Sequence, residues 1–130
     1  MSGDHVPFEI PQPGIFLVNY KDDADLDPEK QGFLISQVKA VGASRRVGIL
    51  FNISPQVWKV DMKIPKFWLG VTGDRSINLC AMAIVSASTP VQAAASFFNI
   101  ANTMRKIPVA VQSFGESEPA MTWLRSQIGP

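Results

Sequence analysis

The stretch RVGILFNI, residues 46–53, decides the fold class of this chain. It is short, almost entirely apolar and bounded by turn-forming residues, which is typical of a strand covered on both faces of a parallel sheet. Two later stretches have the same character, CAMAIVSA at 80–87 and PVAVQSF at 108–114. Together the three stretches predict three buried, parallel strands.

Helical patterns lie before, between and after these strands. Each begins with a residue that can cap a helix or with a proline that fits the first turn, and each then repeats apolar residues at helical spacing. The predicted helices begin near Asp27, Ile64, Thr89 and Ser117. The second of these is the least regular, because glycines at 70 and 73 leave its end undefined.

The chain before these elements predicts a strand pair. Apolar runs at 8–10 and 14–20 flank the turn signal PQPG, which favours a short antiparallel start. Alternating strands and helices then predict right-handed crossover units. We therefore expect one α/β domain over residues 1–130, with a five-stranded, mainly parallel sheet, about four helices and a loose arm at 1–7.

Composition limits the classes of function. The chain has 130 residues, 46% of them apolar, and a formal charge of +1, so it can form one hydrophobic core but offers no strong field for nucleic acid. Its single cysteine cannot close an internal disulfide, which favours a cytoplasmic location. We expect no signal peptide and no membrane span, because no apolar stretch is long and unbroken enough.

The element order and three motifs resemble the SpoIIAA-like, or STAS, domain family, in particular its STAS/SEC14-like branch. GILFNIS is similar to the family's apolar strand that ends in Asp-Leu-Ser, and AMAIVSAS is similar to its central strand. PVAVQSFGESEPAMTWL resembles its closing strand, acidic loop and helix. The resemblance spans nearly the whole chain and implies a regulatory domain that acts through protein contacts, as anti-sigma factor antagonists do.

The family's phosphorylation switch is expected to be missing. Signalling members carry Asp-Ser-Ser-Gly soon after the Asp-Leu-Ser strand end, but here Met62 and Lys63 follow Asp61 at the serine positions. Ser54 is the nearest hydroxyl, and a phosphate there would lie near a predicted helix start. The alternative is that Ser54 only caps the following turn. Asn52, Ser54 and Asp61 therefore form a candidate regulatory strand end.

Enzymatic chemistry and metal binding are not predicted. Nucleophilic catalysis needs a base beside the nucleophile, and the only histidine, His5, lies in the N-terminal arm. Alternating aspartates at 23–27 resemble the opening of a calcium loop, but Pro28 and Leu34 stand where such a loop needs glycine and glutamate. We therefore expect a non-enzymatic protein without a cofactor or metal.

The predicted helix at 91–104 is apolar on two sides. Helical spacing assigns one side to the core, namely Ala93, Phe97, Ile100, Ala101 and Met104. The second side carries Ala94, Ala95 and Phe98. Either a neighbouring helix covers this side, or it forms a contact with a protein partner or a second copy of the chain, with Phe98 as the anchor.

Large apolar side chains after the strand at 46–53 suggest an alternative function. Four of them could line an apolar pocket at the strand ends, where open sheets of this class bind ligands: Trp58, Met62, Phe67 and Trp68. The SEC14-like resemblance implies a lipid or another apolar ligand for such a pocket. The other interpretation is that each aromatic residue packs in the core.

Overall fold

The computed structural model describes residues 6–22, 25, 27–55, 63–74 and 76–129. The strands are β1 (Phe8–Gln12), β2 (Ile15–Tyr20), β3 (Val47–Ile53), β4 (Leu79–Val85) and β5 (Ala110–Phe114). The helices are α1 (Gly32–Gly42), α2 (Lys63–Thr72), α3 (Thr89–Met104) and α4 (Ser117–Ile128). The predicted α/β class, with five strands and four helices, is confirmed.

The five strands form one sheet in sequence order, β1-β2-β3-β4-β5. β1 pairs with β2 antiparallel, and every later pair is parallel. When successive parallel strands are added in one direction, right-handed crossovers place the connecting helices on one face of the sheet. The packing agrees, because Leu34 of α1, Trp68 of α2 and Phe98 of α3 share one core cluster.

The opposite face of the sheet is covered by α4. Leu124 of this helix packs with Leu50 of β3 and Ala83 of β4 in a second core cluster. Gly48 of β3 lets α4 approach closely, because a Cβ atom there would lie 3.0 Å from a Leu124 methyl carbon and 3.2 Å from one of Ile128. The fold is therefore a three-layer arrangement of helices, sheet and helix.

Two predicted boundaries change. Asp27 caps a 3-10 turn, Pro28–Gln31, by accepting a hydrogen bond from the Glu29 N–H, and α1 begins only at Gly32. The predicted loose arm is wrong for residues 6 and 7, because Val6 is buried and its N–H donates to the Lys30 carbonyl at 3.0 Å. The rest of that arm, residues 1–5, lies outside the described residues.

Among the described residues, no helix is both long enough and apolar enough to cross a bilayer.

Candidate protein-contact surface

The helix α3 is fixed at both ends. At its start Ser88 is extended and Pro90 lies in the first turn, and the Gln92 side chain donates to the Ser86 carbonyl at 3.1 Å. After its end, the Arg105 guanidinium donates to the Leu69 carbonyl of α2 at 3.2 Å. These contacts agree with one rotation of α3 about its axis, in which one side packs against the domain and the other faces solvent.

The rotation buries the opposite side from the one predicted. Ala93, Phe97, Ile100 and Met104 were assigned to the core, but all four are exposed, and Ala101 is half-buried. The buried residues are Val91, Ala95, Phe98 and Asn102. Both sets have the spacing i, i+4, i+7, i+11, and they differ by two positions, which is about 200° around a helix. The two stripes therefore lie on opposite faces.

The predicted interface is consequently wrong at Phe98 and Ala95. Phe98 and Ala95 are each only 4% exposed, and Phe98 belongs to the core formed by α1, α2 and the sheet. Ala94 is half-buried. Because Phe98 is enclosed by its own domain, it cannot anchor a partner. The alternative left open by the sequence, coverage within the domain, is the one observed.

The outward side of α3 is an uncharged apolar surface. Phe97 is 43% exposed, Ile100 58% and Met104 79%, and Ala93 extends the same row toward the N-terminus. No charged residue occurs between Thr89 and Met104. We call Ala93, Phe97, Ile100 and Met104 the α3 stripe.

The buried side of α3 contains one polar contact. The Thr72 hydroxyl lies 3.1 Å from the Leu69 carbonyl and 3.2 Å from the Asn102 side-chain oxygen, and the Asn102 amide nitrogen has no partner among the described residues. A hydroxyl has one hydrogen to donate. If that hydrogen goes to the Leu69 carbonyl, the Asn102 amide must be turned so that its nitrogen, not its oxygen, faces the Thr72 hydroxyl. The Asn102 nitrogen then donates to the Thr72 hydroxyl of α2.

The candidate regulatory strand end, at Asn52 of β3 and Ser54 just after it, is bonded to the end of the neighbouring strand β2. The Asn52 side-chain amide donates to the Asn19 side-chain oxygen at 3.2 Å, and the Ser54 N–H donates to the Tyr20 carbonyl at 2.9 Å. Sequence reasoning missed Asn19, because its place beside Asn52 depends on the register of β2 against β3. Asp61 lies outside the described residues, so its part in this site stays a prediction.

Trp68 lies in the core, as one interpretation of the sequence proposed. It is 2% exposed. The centre of its ring system lies 5.0 Å from the ring centre of Phe51 and 5.6 Å from that of Phe67, which is itself half-buried. These packed rings leave Trp68 in the interior and not on the wall of an open pocket. Trp58 and Met62, the other two residues of the predicted pocket, lie outside the described residues.

Trp68 also belongs to a buried hydrogen-bond network. Its indole N–H donates to the Tyr20 hydroxyl at 3.3 Å, and that hydroxyl donates to the Gln31 side-chain oxygen at 3.0 Å. Burial raises the pKa of Tyr20 far above its usual value, so the hydroxyl stays protonated. The Gln31 amide donates in turn to the carbonyls of Asp25 and Asp27. The network ties the loop that carries Asp25 and Asp27, called the acidic loop from here on, to β2 and α2.

The acidic loop uses its carboxylates locally. Asp25 accepts a hydrogen bond from the Lys21 N–H at 2.7 Å, and Asp27 accepts one from the Glu29 N–H at 3.1 Å. Nowhere in the described residues do three side chains of His, Cys, Asp or Glu come together as metal ligands would.

Two open clefts lie away from the α3 stripe. One, of about 260 Å³, lies at the N-terminal ends of the strands beside Asp74 and Cys80. The other, of about 520 Å³, runs along α4 beside Glu118 and Trp123. Neither is lined by Phe67 or Trp68, the described residues of the predicted pocket.

Comparison with protein-family models, with curated proteins and with solved structures found no match for this chain. Membership of the STAS family therefore stays a prediction from the quoted motifs.

Proposed function

We propose that this chain is a non-enzymatic regulatory or scaffolding domain of the STAS type, that it works in the cytoplasm, and that the α3 stripe is its contact surface for protein. The observation that carries the proposal is the exposure of Phe97, Ile100 and Met104 in one row on a helix without charged residues. The sheet order and helix layers give a rigid support for that row.

The exposed area supports this assignment. A large apolar side chain presents roughly 150–250 Å² when free, so the exposed fractions of Phe97, Ile100 and Met104 leave roughly 270–450 Å² of apolar surface. The largest apolar patch on a monomeric protein is of the same order and is often functional. A partner that covers the α3 stripe would remove this surface from water and gain the corresponding hydrophobic free energy.

The other helices show a different surface. α1 exposes Lys39, α2 exposes Lys66, and α4 exposes both Glu118 and Arg125. Charged side chains of this kind keep a helix face solvated and discourage association. The absence of any charge along α3 therefore distinguishes it from the other helices on the described surface.

The contact we propose is not switched by phosphate at the strand end. The family's serine positions hold Met62 and Lys63, and the amides of Asn19 and Asn52 pair with each other without a titratable group. Ser54 stays as the one candidate for modification there. A contact through α3 lies on a different element and would not need that serine.

Site-specific photo-crosslinking in the native cell tests the proposal. A benzophenone amino acid at position 100 is expected to give covalent protein adducts, because the Ile100 side chain lies in the middle of the α3 stripe. The matched control carries the same group at Ala40, an exposed position on α1. Adducts from position 100 and none from position 40 would support the proposal, whereas no adduct from 97, 100 or 104 would refute it.

A further inference from the structure

We infer that the partner covering the α3 stripe is a second copy of this chain, which docks by the same stripe across a two-fold axis. This inference rests on the proposed contact function and narrows it to one partner. It is carried by the charge pattern of α3 and by the area of the stripe.

Two-fold symmetry sets an electrostatic condition. A two-fold axis brings each residue near its own copy, so a charged residue near the axis meets a like charge. α3 meets this condition along its whole length, because it carries no charge from Thr89 to Met104. The first charged residue after α3 along the chain, Arg105, donates to the Leu69 carbonyl of its own protomer. Two antiparallel α3 helices would also align their dipoles favourably.

The shape of the stripe fits the pairing of two helices. Phe97 and Ile100 lie at its centre and would form the anchor, since large central side chains carry most of the energy of an interface. The small residues Ala93 and Ser96 allow close approach near them. A standard interface buries about 800 Å² on each partner, and the three large side chains of the stripe would supply a third to a half of that area. The exposed neutral residues of α3 beside the stripe, among them Ser96, Asn99 and Thr103, would add to this area.

Other kinds of partner fit less well. An anionic membrane binds helices whose polar face is rich in Lys and Arg, and nucleic acid needs the same charges to neutralise phosphates. A partner with a strongly charged surface needs complementary charge around the apolar centre. The exposed residues of α3 outside the stripe are neutral, for example Ser96, Asn99 and Thr103. A second copy, whose α3 presents the same neutral surface, meets this condition.

Analytical ultracentrifugation of the purified full chain tests the inference. At about 10 µM the wild-type protein is expected to sediment with twice the monomer mass of 14.2 kDa. Ile100→Asp places two like charges at the interface and should weaken association by about 100-fold or more. Ala40→Asp adds the same charge to an exposed position of α1 and should leave the dimer unchanged. Met104→Glu, at the most exposed residue of the stripe, provides a second variant, and circular dichroism confirms that each variant is folded.

The outcomes separate this inference from the proposed function. A wild-type protein that stays monomeric at about 100 µM, or an Ile100→Asp variant that dimerises as the wild type does, overturns the second copy as partner. If crosslinking from position 100 then captures a different protein, the contact function stands without the dimer. If crosslinking captures nothing, both fail.

Discussion

The Tyr20 hydroxyl joins three parts of the fold, so its removal gives a defined energetic test. It accepts the indole N–H of Trp68 from α2 and donates to the side chain of Gln31, which holds the acidic loop. Tyr20→Phe removes one oxygen atom and keeps the ring that stacks on Phe51. The Trp68 N–H and the Gln31 oxygen then lose their partner inside the core, where water does not replace it.

The expected cost follows from the two groups left unpaired. An unsatisfied buried polar group costs about 1–3 kcal/mol, and part of this is offset because the tyrosine hydroxyl no longer has to be desolvated. We therefore expect Tyr20→Phe to lower the free energy of unfolding by about 2–3 kcal/mol. That is a large share of the roughly 5–15 kcal/mol typical of a whole domain.

Urea unfolding followed by tryptophan fluorescence measures this change, at one fixed protein concentration because association would also stabilise the fold. The midpoint should fall while the slope of free energy against urea stays constant. Thr122→Val is the matched control, because it removes one hydroxyl whose hydrogen bond, to Glu118, lies on the exposed surface. Its effect should stay within about 0.5 kcal/mol.

A double-mutant cycle then assigns the loss to the network. Tyr20→Phe and Gln31→Met share one hydrogen bond, so their combined effect should differ from the sum of the single effects by about 1 kcal/mol. A Tyr20→Phe loss no larger than that of Thr122→Val, or a cycle without coupling, would refute the role of this network in stability.

Two further predictions concern packing and the single cysteine. Gly48→Val should lower the free energy of unfolding by about 1–3 kcal/mol, because the new side chain meets Leu124 and Ile128 of α4. Gly70 lies in α2, and a Cβ atom there would have no neighbour within 4 Å. Gly70→Ala should therefore be neutral or stabilise the fold by up to about 1 kcal/mol. Thermal unfolding of both variants checks this, and equal effects would count against the close approach of α4. Burial raises the pKa of the Cys80 thiol, so less thiolate is present at a given pH than for a free thiol. Iodoacetamide should therefore alkylate Cys80 more slowly than a free thiol near pH 8. The rate should increase as the pH rises. Rates equal to those of a free thiol, measured by mass spectrometry, would contradict the burial.

The sheet could be predicted because its last three strands are largely apolar, although only β3 and β4 lie inside the sheet and β5 is its partly exposed edge. β3, β4 and β5 appear in the sequence as short apolar runs between turn residues, and the alternation with helices implied their parallel order. The N-terminal pair followed from the turn signal PQPG. Local patterns of this kind depend on residues close together in the chain, which is why they are visible without a structure.

The orientation of α3 could not be predicted from the same patterns. Its two stripes have identical spacing, so periodicity alone could not decide between Phe97 and Phe98 as the core residue. The choice depends on contacts from other elements, including the Thr72 hydroxyl that pairs with Asn102. The fully apolar stripe faces solvent, and the stripe that contains an asparagine is buried.

Contacts across distant parts of the chain were missed for the same reason. Asn19 lies beside Asn52 only through strand register, and Val6 enters the core through a hydrogen bond to the turn before α1. The link from Tyr20 to Gln31 and Trp68 joins residues 11 and 48 positions apart. None of these contacts has a short sequence signal.

The most direct measurement asks whether a second copy covers the α3 stripe in solution. A soluble paramagnetic probe can measure this by its effect on the methyl relaxation of Met104, which is 79% exposed in the single chain, with the buried Met82 as internal reference. In a concentrated sample the Met104 methyl should be protected nearly as well as that of Met82, and it should lose this protection on dilution or in Ile100→Asp. A Met104 methyl that relaxes as a fully exposed group at every concentration would contradict the account.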